Sequence, residues 1–350
     1  MQIRKLNSLR GIAALIVVVS HYSNLTNVFS GLLGGGAGEI GVMLFFVLSG
    51  FLMAYLYLDR EFEKSAVGKF SNARIARVVP LFTGVVIVSF LLGRIGLPLL
   101  YDISTIPTLL ANLFFISGVS VLWTIPTEVQ FYLLFVILWR LYSRKKGILF
   151  AVMAIIFVAL ALLGFPESGV KFYGVHIRDT IVSSLQFFFA GILFGWLYRV
   201  WRPPARLQKN AYALALLLIL LIYPNIFKLI FGFEHDAWKD LSVLAVVSSV
   251  FFVIAFLVPD DNKFLSNRLG DFLGSISYSV YVFHFPVLGW MSGYAARQPL
   301  LFFPVYVALI LGLSALSYRF FEKPAREAIR SLGLKREAAG ERNPALNGKV

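Results

Sequence analysis

Ten apolar runs of about 20 residues each constrain this chain more than any other feature. They lie at 9–29, 39–58, 78–97, 122–142, 147–165, 181–200, 211–230, 241–258, 274–293 and 301–321. At about 1.5 Å per residue, a helical run of that length crosses a hydrocarbon core of about 30 Å. Composition agrees: 59% of residues are hydrophobic, only 14% are charged, and the mean hydropathy is +0.79. Soluble domains run nearer half apolar and about a quarter charged. The expected fold class is an all-α integral membrane protein, a bundle of about ten transmembrane helices. The stretch 104–121 is also apolar. Pro107 and Gly118 interrupt it, so it reads as a re-entrant or interfacial segment on the outer side.

Thirty-two Lys and Arg against 18 Asp and Glu give a net charge of +14. Placement decides what that charge means. When the connections between runs are assigned to alternating sides, one side holds just Arg94, Lys171, Arg178, Lys228, Lys239 and Arg297. All other basic residues fall on the opposite side. Such a bias is a topology signal and not a nucleic-acid surface; it puts both termini in the cytoplasm. The basic-then-apolar start resembles a signal peptide. No small-residue cleavage site follows, and His21 interrupts the run, so a retained first helix is expected. Residues 1–326 read as one transmembrane domain. Residues 327–350 read as a polar cytoplasmic tail, too short for a further domain and disordered over "LKREAAGERNPALNGKV". The chain has no cysteine, which excludes disulfides and thiolate chemistry. No repeat and no metal-ligand spacing is evident, so no metal is expected.

Ionisable residues inside apolar runs are costly and are functional candidates by default. His21 follows Arg10 by eleven residues, which is about 16 Å of helix and three turns plus about 20°. The two share one face, the arginine at the cytoplasmic mouth and the histidine near the midplane. His284, in "GSISYSVYVFHFPVL", lies about 15 Å from Gly274, and Ser277, Tyr281 and His284 share a face. For either histidine, the plain alternative is a ring hydrogen-bonded inside the bundle. Glu128, in "LWTIPTEVQFYLLF", lies about 7–8 Å inside a helix that starts from the outer surface at Trp123. A histidine is the natural partner there; a rim carboxylate reaching water is the alternative. Arg74 and Arg77 are i, i+3 neighbours at the cytoplasmic start of the third run and can face one anion, although topology alone would also place them there. "GAGEIG" at 36–41 matches G-x-G-x-x-G but follows no strand, so it is a loop leading into a helix.

A midplane base behind a basic cytoplasmic mouth suits transfer of a group from a phosphate-rich donor. A proton-coupled transporter using the midplane histidines is the competing reading, and the lack of an inverted repeat counts against it.

Six segments, in order, resemble acyltransferase family 3, the polytopic bacterial O-acyltransferases of surface and exported glycans. "LNSLRGIAALIVVVSH" is similar to the family's L-x-x-L-R-G-x-A-A opening with its arginine, ten residues and histidine. "GVMLFFVLSGFLM", "FSNARIARVVPLF", "LWTIPTEVQFYLLF", "ISYSVYVFHFPVL" and "SYRFFEKPAR" resemble the motifs that follow. The resemblance implies transfer of an acyl group, most often acetyl from acetyl-CoA, to a hydroxyl of a lipid-linked or polymeric saccharide, in the bacterial cytoplasmic (inner) membrane. By the same resemblance His21 is the catalytic base or acyl carrier, Glu128 and His284 line the site, and Arg10, Arg74 and Arg77 hold the CoA phosphates. Self-association into a homo-oligomer is compatible with the sequence. Ala73, Val129, Met43, Phe283 and Phe285 depart from residues common at those motif positions.

Overall fold

The computed structural model describes residues 3–98, 100–162, 171–172, 175–176 and 180–341. Among the described residues, each apolar run falls largely on helical structure, as expected where backbone N–H and C=O groups must pair within their own segment. The elements are α1 (Arg4–Thr26), α2 (Gly38–Tyr57), α3 (Lys64–Arg94), α4 (Ile106–Leu113), α5 (Thr124–Arg144) and α6 (Lys146–Leu162). After a short hairpin, Lys171–Phe172 against Val175–His176, come α7 (Ile181–Val200), α8 (Pro224–Phe231) and α9 (Leu241–Phe252). Then follow α10 (Arg268–Arg297), α11 (Pro299–Ser317) and α12 (Lys323–Glu341). A 3-10 helix, Asn210–Ile222, precedes α8, and π-turns continue α9 and α11.

The helices that carry the ten apolar runs differ in length and apolarity. Among the described residues, six helical stretches are long and apolar enough to cross a membrane. They are Gly38–Tyr57, Lys64–Arg94, Ser120–Arg144, Ile181–Val200, Arg268–Arg297 and Pro299–Leu332. A seventh counts if Asn210–Ile222 and Pro224–Phe231, bent by 79°, form one span; Pro224 breaks that run. Lys146–Leu162 and Leu241–Leu257 are apolar but short. α1 is 23 residues long and carries buried polar side chains, Lys5, Asn7, Ser8, Ser20 and Ser23. Two further boundaries shift. The 59–77 connection is helical from Lys64, and the tail is helical to Glu341 where disorder was expected; residues 342–350 lie outside the described part.

Two helix pairs frame the interior, α2 along α7 and α1 along α10. The first is a close-contact seam of glycines. A Cβ on Gly191 would lie 2.2 Å from the Val47 carbonyl oxygen, and one on Gly50 2.3 Å from that of Phe188. Small residues let backbones approach where lipid offers no hydrophobic drive to pair helices.

Polar ties gather the basic ends. Lys5 donates to the Val258 carbonyl (2.6 Å) and pairs with Asp260 (2.9 Å), fixing the start of α1 to the segment after α9. Arg199 at the end of α7 pairs with Asp59 after α2 (2.5 Å), and the Tyr142 hydroxyl from α5 donates to the same carboxylate (3.0 Å).

Candidate active site

α1 presents Arg10 and His21 to α10, on one stripe as the eleven-residue spacing predicts. The Arg10 guanidinium donates to the Gly274 carbonyl, to Ser277 Oγ (3.1 Å) and to Asn7 Oδ1 (3.0 Å). Three turns further on, the His21 and His284 rings meet edge to face with centroids 5.0 Å apart. His284 is fully buried and His21 half-buried.

The ring nitrogens can be assigned by chemistry. His21 Nδ1 lies 3.0 Å from the Val17 carbonyl oxygen, and His284 Nδ1 2.6 Å from that of Tyr281. A carbonyl only accepts, so each Nδ1 carries the proton and each Nε2 keeps its lone pair. The backbone thus selects the tautomer in which Nε2 is the base. His284 Nε2 is buried with no hydrogen-bond partner among the described residues.

Beside this pair lies a narrow cleft of about 60 Å³ between α1, α2, α3, α5 and α10. Such a volume holds a few waters or a thin chain, at about 10–15 Å³ per water. Its polar lining comprises Arg10, Ser49, Arg77, Thr124, Glu128 and Ser277. A vestibule of about 150 Å³ adjoins it, sharing Arg10, Leu48 and Leu52 and reaching Ile3, Tyr55 and Leu56 at the basic end of the bundle.

Two expectations change here. Glu128 is not paired with a histidine: Ser49 Oγ donates to it at 2.9 Å, and it shares the cleft with Arg10 and Arg77. Its place along the bundle differs too. Residues 120–123 form a 3-10 turn whose last three residues are buried, with Leu122 wholly enclosed, and the Val121 carbonyl accepts from the Tyr281 hydroxyl (2.7 Å). α5 therefore starts inside the protein and not at its surface, which carries Glu128 back to the Arg10 level. The order from the basic end is Arg10 with Glu128, then Tyr281, then the histidines. Finally, Arg74 and Arg77 have different surroundings. Arg77 lines the cleft, while Arg74 is buried with its guanidinium 5.8–6.0 Å from the Phe70, Tyr132 and Tyr57 ring centres. That arrangement is a cation–π enclosure.

Glu322 was missed. It is buried at the end of the π-turn after α11, where Ser279 Oγ donates to its carboxylate. Arg326, Arg77 and Arg10 act on it electrostatically. The available signal was a lone acidic residue one position beyond the last apolar run. No cluster of metal-ligating side chains occurs among the described residues.

Residues 3–319 match the acyltransferase domain described for the acyltransferase 3 family. The chain belongs to that family. A provisionally named O-acetyltransferase of Staphylococcus aureus strain COL is 25% identical over 371 residues, covering 93% of this chain and 58% of the relative. The O-acetyltransferase OatA of S. aureus strain NCTC 8325 is 25% identical over 363 residues, covering 92% and 57%. The chain thus spans a little over half the length of these relatives. No solved structure matches it. The family and the several apolar helices together make the chain a multi-pass membrane protein.

Proposed function

We propose that the protein transfers an acetyl group from acetyl-CoA to a hydroxyl of a cell-surface or exported glycan, in the bacterial cytoplasmic membrane. The observation that carries this reading is one stripe of α1 holding Arg10 at a basic vestibule and His21, with its Nε2 basic, three turns deeper. The donor's phosphates stay at the basic end beside Arg10 and Arg77, as guanidinium forks suit phosphate oxygens. The thin pantetheine arm follows the cleft. The acceptor hydroxyl oxygen attacks the thioester carbonyl carbon. A C–O bond forms, the C–S bond breaks, and the hydroxyl proton passes to His21 Nε2. The departing thiolate then takes that proton from the imidazolium, which restores the base. His284, edge-on to His21, holds the ring that receives the proton, and Glu128 offsets the arginine charge in the cleft.

Arg77→Ala is expected to raise KM for acetyl-CoA about tenfold, with kcat little changed, because it removes binding shared by ground and transition states. Steady-state kinetics with varied donor check this; an unchanged KM would remove Arg77 from donor binding. The function itself is tested by the envelope glycans of a strain lacking the protein. Loss of an acetyl group by mass is expected, and glycans identical to those of the parent strain would contradict the proposal.

A further inference from the structure

The cleft stops one layer short of the histidines. Its walls change character turn by turn along α2 and α10. Ser49 and Ser277 form a polar layer with Arg10. One turn on, Phe45 and Tyr281 face each other edge to face, ring centres 6.1 Å apart. Beyond them lies the histidine pair, with the Tyr281 ring 5.6 Å from that of His284. Neither histidine lines the cleft or the vestibule.

We propose that the Phe45–Tyr281 pair is the aperture between the donor cleft and His21, and that Phe45 sets the largest acyl group the protein transfers. The inference rests on the acyl-transfer reading above.

On one side of the pair the wall is closed. α1 and α2 are in backbone contact there: a Cβ on Gly41 would lie 2.5 Å from the Ala13 carbonyl oxygen and 2.8 Å from Val17 Cγ2. Tyr281 is buried and tied by its hydroxyl to the Val121 carbonyl, so moving it would strand two buried polar groups. Phe45 has no such tie. Its ring is half-buried and packs against two hydrophobic clusters of the protein. It is the member that can turn aside. An acetyl group needs a small displacement of that ring, and each further methylene needs more. Steric selection by an apolar wall discriminates by about 10- to 200-fold per methylene.

The test compares labelled acetyl-CoA with labelled hexanoyl-CoA, counting label transferred into the envelope fraction of membranes holding the full chain. Phe45→Ala is expected to raise the hexanoyl-to-acetyl ratio about tenfold or more. Phe45→Leu, which keeps most of the packing volume, should raise it less, and Phe45→Trp should lower it. If Phe45→Ala does not fold, the Leu and Trp variants carry the comparison in opposite directions. Ratios equal to wild type in the folded variants, including parallel slowing with both donors, would overturn the aperture. A wild-type protein that transfers neither group defeats the acyl-transfer reading instead.

Discussion

Gly191→Leu is expected to abolish the folded protein. Even the first atom of a side chain at this position would sit 2.2 Å from the Val47 carbonyl oxygen and 2.8 Å from the Phe51 backbone nitrogen. Neither neighbour is a side-chain tip that can turn away, so α2 and α7 would have to separate. Overpacking of side chains alone costs about 1–3 kcal/mol, and backbone against backbone exceeds that. α2 also carries Phe45 and Ser49, so the cleft opens with the seam. Thermal unfolding in detergent reports the result: no cooperative transition, or one far below wild type. A wild-type transition would mean that the seam is looser than its geometry.

His21→Ala has the second large effect, on chemistry and not on folding. Loss of a positioned general base lowers transfer by about 10²- to 10⁴-fold. The fold survives because the ring is half-buried and its hydrogen bond goes to Val17 on the same helix. His284→Ala should behave differently. That ring is wholly enclosed and meets His21, so its removal leaves a void and lets the base move. Activity and thermal midpoint fall together there, whereas for His21→Ala activity falls alone. Unimpaired transfer by a folded His21→Ala protein would sink the mechanism.

Periodicity explains what was legible in the sequence. Arg10 with His21, and Ser277 with Tyr281 and His284, share faces because single helices obey the 3.6-residue turn. Those faces do meet, Arg10 on Ser277 and His21 on His284. What failed depended on contacts between elements. The depth of Glu128 turned on whether residues 119–123 lie at the surface or inside, which only the Tyr281–Val121 bond and the burial of Leu122 reveal. Arg74 and Arg77 look equivalent along the chain, yet Tyr57 from α2 and Tyr132 from α5 enclose just one of them. The glycine seam was readable in part: Gly191 and Gly195 stand four apart, the spacing of close helix pairs in membranes. The break at Pro224 and the buried polar side chains of α1 belong to the fold and are not visible in the length and apolarity of a run.

The most direct test of the central claim uses purified protein in lipid nanodiscs with acetyl-labelled acetyl-CoA and a membrane extract as the source of saccharide. The account predicts that label leaves CoA and appears on saccharide with the wild-type protein, and that His21→Ala reduces this by at least about 100-fold. Label that stays on CoA with folded wild-type protein, or transfer that is indifferent to His21, would contradict it.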